Sequence, residues 1–346
     1  MLSTLLIFLL AILSLVKNCR YVRNSNEIYN VFDKSTTTLL KGFCAIIVVF
    51  VHIPQQYSNN LQDMIGSFAY VAVTFFFFAS AYGMQFSLTH RPDYLRSFWM
   101  NRLSALLIPM FFVNILAFIF YFISKGSSQH TWLSLVHLNG YVKILLEYCI
   151  CFYILNKLSY LYPNFGKYTD ITLIIIVAIS SIYTYATNDA DTFSNWPFER
   201  IGLIWGLLAF RYLNKVKQWL RNRNLAKLII FIVLSLILGI IYLKYKSIVF
   251  WGEYLLKIIL GLSILTTAFL AISNVKLGNT IGKLLGEISY SIYLFHDIAI
   301  IALSQWLPTI NSNELIGLLF IIVLIISWLI TRLSTPVIKR IKKSKI

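Results

Sequence analysis

Long apolar runs separated by short polar and basic segments dominate the chain. Eleven can be marked, at 2–16, 36–53, 65–88, 103–123, 139–161, 169–187, 199–213, 226–243, 254–273, 286–306 and 315–334. Most approach the roughly 17–25 residues that a tilted helix needs to cross about 30 Å of hydrocarbon. The first and seventh are short, and about fifteen residues rise only about 22 Å. The first has neither a basic leader nor a small-x-small cleavage site after it, so it reads as a helix and not as a signal-peptide core. The pattern predicts an all-α polytopic transmembrane bundle of about 10–11 helices. It contains no internal repeat, no soluble domain and no Pro/Gly/Ser linker. All chemistry must then lie inside the bundle or at its mouths.

Composition agrees with the pattern. Of 346 residues, 58% are hydrophobic and only 12% charged, and mean hydropathy is +0.74. A soluble domain carries about twice that charge. The net charge of +17 would suggest nucleic acid in a soluble protein. In a membrane protein it reflects Lys and Arg collected in cytoplasmic loops. With the N-terminus outside, 24 of the 30 basic residues fall on the cytoplasmic side. Arg23 counts among them, while Asp189 and Asp191 fall outside. The C-terminus is then cytoplasmic, and the protein is expected in the inner or plasma membrane, with the bilayer as a partner and no nucleic acid. The chain divides into an N-terminal helix and basic loop (1–35), a main transmembrane domain (36–334) and a basic cytoplasmic tail (335–346). The four cysteines have no metal-ligand spacing and read as small apolar residues. The five histidines are not clustered at ligand spacing, so no metal is indicated.

Ionisable side chains within a span are costly and mark function. The second run holds Lys41 and His52, eleven residues apart. That is about three turns, which places both on one helix face with a rise of about 16 Å. A snorkelling lysine and an interfacial histidine would give the same spacing. Ser80 and Tyr82 interrupt an aromatic run, where small polar residues also serve helix packing. Arg91, Arg96 and Arg102 precede Pro109, as topology signals or as phosphate ligands. Lys143 and Glu147 stand at i,i+4 and can neutralise each other. In the tenth run, Ser289, Tyr293 and His296 share a face, flanked by Glu287 and Asp297.

In these residues the chain resembles the integral-membrane acyltransferase-three family, which includes surface-polysaccharide and sugar O-acetyltransferases. The resemblance runs from about residue 36 to 334. It rests on a basic residue followed, after ten others, by a histidine (Lys41, Gly42, His52). The aromatic run with Phe77, Phe78, Ser80 and Tyr82 follows, then an arginine-to-proline stretch from Arg102 to Pro109. A final motif holds Ser289, Tyr290, Tyr293, Leu294 and His296. Two positions depart from the family pattern. Ala81 replaces a usual glycine, and no second arginine stands near the proline, where Leu106 or a neighbour takes its place. The resemblance implies an acyltransferase, specifically an O-acetyltransferase. Its donor would be acetyl-CoA or another acyl-CoA, with no bound cofactor. The acceptor would be a hydroxyl of an envelope or capsular/exopolysaccharide glycan or its lipid-linked precursor. It makes His52 the catalytic residue and Lys41 and Arg102 the ligands of the donor's charged end. Ser80, Tyr82, Glu147, Tyr293 and His296 become positioning candidates. A lipid-linked sugar transporter or a polysaccharide polymerase is the alternative, although the large outer loop or repeated helix bundles common there are not seen in this sequence.

Overall fold

The computed structural model describes residues 1–21, 31–125, 132–187 and 196–343. Arg23, Asp189 and Asp191 lie outside the described residues. The helices are α1 (Leu2–Val16), α2 (Lys34–His52), α3 (Asn60–Gly66), α4 (Tyr70–His90), α5 (Phe98–Lys125), α6 (Gly140–Leu161) and α7 (Thr169–Ala186). There follow α8 (Ile201–Arg211), α9 (Leu213–Arg221), α10 (Asn224–Tyr245), α11 (Leu256–Ile272), α12 (Thr280–Trp306) and α13 (Ser312–Lys343). Among the described residues, nine helical segments are long and apolar enough to cross a membrane, and α1 and α8 are shorter apolar helices. The molecule is an all-α, multi-pass membrane bundle. The β structure among the described residues is one antiparallel pair of two-residue strands, with Arg20 opposite Lys276 and Tyr21 opposite Val275.

Several boundaries differ from the apolar pattern, each for a local reason. The run at 65–88 is split into α3 and α4, because Asn59 accepts a hydrogen bond from the Gln62 amide and starts a separate short helix. The segment after α8 is not a plain loop. It forms α9, whose Leu213, Val216 and Leu220 turn inward while lysines and arginines face out. Asn279 caps α12, accepting from the Ile281 amide at 2.8 Å, so that helix begins six residues before the apolar run. The basic stretch after residue 334 continues α13 through Pro336 to Lys343.

Close helix contacts are made through small residues. A Cβ on Gly286 would lie 2.0 Å from the Thr38 carbonyl oxygen, and one on Gly42 would lie 2.7 Å from the Gly286 amide nitrogen. Only glycine lets α2 and α12 approach so closely. The same device, Gly202 and Gly206, seats α8 against the Thr74 and Phe78 carbonyls of α4. In lipid, association depends on such packing because the tails are as apolar as the side chains. α1 lies along this core. Its N-terminal amine donates to Asn313 Oδ1 at 2.8 Å, Thr4 Oγ1 accepts from Asn59, and the Leu13 carbonyl accepts from Asn279. By contrast α10 is mostly exposed, with aliphatic residues such as Leu236 and Ile240 outward, as a helix solvated by lipid must be.

Candidate active site

The α2–α12 contact places the site. Lys41 on α2 opens into a cavity of about 210 Å³, shared with Ser80 of α4, Arg102 of α5, Tyr141 of α6 and Ser289, Tyr290 and Tyr293 of α12. Four separate sequence motifs thus meet in one small polar space. Larger grooves, of about 810 and 540 Å³, run beside α1, but aliphatic and aromatic side chains line nearly all of both. Their size reflects a lipid-facing surface and not chemistry.

Hydrogen bonds fix the cavity wall. The Arg102 guanidinium donates from Nη2 to the hydroxyl of buried Tyr94 at 3.2 Å. That leaves its other N–H groups available to an anion. Tyr290 donates to the Leu106 carbonyl at 2.8 Å, tying α12 to α5 at the place where the family's second arginine is missing. The Ser80 hydroxyl donates back to the Phe76 carbonyl at 2.8 Å, satisfying its own proton within the helix.

His52 is not among the residues lining this cavity and stands at the C-terminal end of α2. There it meets His296 of α12 edge to face, ring centroids 4.7 Å apart at 70°. His296 is 1% exposed, while His52 is exposed. Each ring places Nδ1 on a carbonyl one turn back. His52 reaches Val48 at 2.9 Å and His296 reaches Ile292 at 3.2 Å. We assign the proton of each neutral ring to Nδ1 on that basis, which leaves Nε2 with its lone pair. Asp297 Oδ1 stands 3.2 Å from His296 Nε2. His52, His296 and Asp297 offer donor atoms all within 4.8 Å of one another. Histidine spacing in the sequence gives no sign of this grouping, because the two histidines come from helices far apart in the chain.

Tyr293 is near both regions. Its ring is 5.0 Å from Tyr141, 6.2 Å from Phe76 and 5.9 Å from His296. It lines the cavity and also stands beside His296. Tyr141 does not stand out in the sequence, where its only signal is an aromatic ring at the start of a span.

Two positioning candidates lie elsewhere. Tyr82 packs in a separate aromatic cluster with Phe32, Phe78 and Phe210. Glu147 pairs with Arg200 at 3.9 Å and not with Lys143. Buried Glu199 and Arg200 immediately precede the short α8, and Arg200 also donates to Ser180 at 2.5 Å. Tertiary packing therefore overrides the i,i+4 pairing expected within α6.

A family model described as an acyltransferase domain matches residues 37–332. No curated protein and no solved structure matches the chain.

Proposed function

The chain belongs to the acyltransferase family matched over residues 37–332, and from that membership we propose that it moves an acetyl group from acetyl-CoA to a glycan hydroxyl. The acceptor class is an envelope or capsular polysaccharide or its lipid-linked precursor. The family match leaves the transporter and polymerase readings without support. We place the protein in the cell membrane with its N-terminus outside and its C-terminus in the cytoplasm, following the distribution of basic residues.

One observation carries the reading. Lys41 and Arg102 share a cavity beside the middle of α2, and His52 meets His296 at its C-terminal end. In the proposed orientation the cationic cavity opens toward the cytoplasm, where acyl-CoA resides. Lysine and arginine suit its phosphates, arginine through its planar fork of donors. The rise of about 16 Å from Lys41 to His52 is comparable to the reach of an extended pantetheine arm. The thioester then passes Tyr293 to meet the acceptor at His52. There the hydroxyl is activated; imidazole is suited to removing its proton near neutral pH. The hydroxyl oxygen attacks the thioester carbonyl, the C–S bond breaks, and the CoA thiolate takes up a proton.

The direct test is transfer of label from radioactive acetyl-CoA into a glycan fraction by membranes holding matched amounts of wild type and His52→Ala. Loss of an acid–base group costs about 10²–10⁴ in rate, so the variant should fall to background. Equal labelling by both would remove His52 from the site, and labelling by neither would reject acetyl-CoA as donor.

A further inference from the structure

His296 Nε2 poses a problem of its own. It is buried and close to a carboxylate oxygen, yet it makes no hydrogen bond. The 3.2 Å separation from Asp297 Oδ1 is short enough, so the orientation is at fault and not the distance. The spacing is instead that of two ligands sharing one ion. In a tetrahedral zinc site with bonds of about 2.0–2.1 Å, neighbouring donor atoms lie about 3.3 Å apart. His52 completes the set, with all three donors within 4.8 Å. The backbone contacts of both rings have the form found around metal ligands. Nδ1 gives its proton to a carbonyl, which fixes the tautomer and aims Nε2 outward. His52 and Asp297 are exposed at the mouth and free to close on an ion, while His296 is anchored.

We propose that His52, His296 and Asp297 form a binding site for a divalent zinc-class metal ion at the outer mouth of the bundle. Two imidazoles and a carboxylate suit zinc, and three protein ligands leave a coordination position open. The role of that position rests on the acyl-transfer reading: it receives the acceptor hydroxyl. The ion lowers the pKa of the bound hydroxyl, whose O–H bond breaks with release of the proton to outer water. An ion changes how the hydroxyl is activated and leaves unchanged where this happens. His52 then serves as ligand, with loss of activity in His52→Ala expected either way.

Metal content tests the site without reference to activity. Full-length protein is purified in detergent, stripped with chelator, loaded with Zn²⁺ or Co²⁺ and dialysed. Metal is then measured by mass spectrometry and, for Co²⁺, by its visible spectrum. Wild type should hold about one equivalent, with the intense visible bands of a tetrahedral Co²⁺ site. Asp297→Ala and His52→Ala, both at exposed positions, should lose it at unchanged folded yield. His90→Ala, on a distant exposed histidine, should keep it. Wild type that takes up neither ion, or uptake equal in all variants, overturns the proposal, as does full transfer activity in metal-free protein. A metal-loaded wild type that transfers nothing from acetyl-CoA would leave the site standing and reject the proposed reaction.

Discussion

Arg102 shows how one side chain divides its work. One N–H is held by Tyr94, and the rest of the guanidinium faces the cavity beside Lys41. Arg102→Lys keeps the charge but loses the planar fork. A charge-assisted hydrogen bond contributes about 1.5–3 kcal/mol, so the KM for acetyl-CoA should rise about tenfold or more while kcat stays nearly constant. Steady-state kinetics in membranes would check this, and a fall in kcat at constant KM would assign Arg102 to the chemical step. Tyr290 makes a contrasting case. Its hydroxyl bonds the Leu106 carbonyl, so it braces α5 against α12 and is spent on structure.

At the scale of elements, the site exists because α2 and α12 touch backbone to backbone. Gly286→Val would drive side-chain atoms into Thr38, whose carbonyl oxygen would stand only 2.0 Å from the new Cβ. Overpacking costs about 1–3 kcal/mol and more where backbone must move. Purified Gly286→Val should therefore unfold at lower temperature than wild type and lose transfer, because Lys41 and the histidine pair shift together. Gly317→Val is the control, since a Cβ there meets nothing within 4 Å, and it should melt like wild type. Equal melting of both variants would mean that the α2–α12 seam tolerates separation.

For the whole molecule, function depends on which end of the bundle faces the cytoplasm. The proposed orientation predicts that, in intact cells, a membrane-impermeant thiol reagent labels Asn59→Cys near the histidine end. Arg91→Cys, near the cationic end, should be labelled only after permeabilisation. Both are read in a background with the four native cysteines, all free thiols, replaced by serine. The reverse pattern would put the cationic cavity outside, away from cytoplasmic acyl-CoA, and would defeat the mechanism. The exposed aliphatic surface of α10 fits a molecule that meets lipid on its flank.

The sequence by itself determined the membrane bundle, because the bilayer imposes a length and an apolarity on every span separately, and both can be read locally. It also marked Lys41, His52, Arg102, Ser80, Tyr293 and His296, since polar groups stand out against an apolar background. Helix caps at Asn59 and Asn279 moved boundaries that hydropathy alone places wrongly, although capping residues are themselves visible in sequence. Only the tertiary structure decided which marked residues meet. It put Lys41, Arg102 and Ser80 on one cavity, set His52 against His296, paired Glu147 with Arg200 and consigned Tyr82 to an aromatic cluster. The reason is physical. Which residues are polar is a property of single positions, whereas which polar residues face each other depends on where distant helices carry the glycines that let them touch.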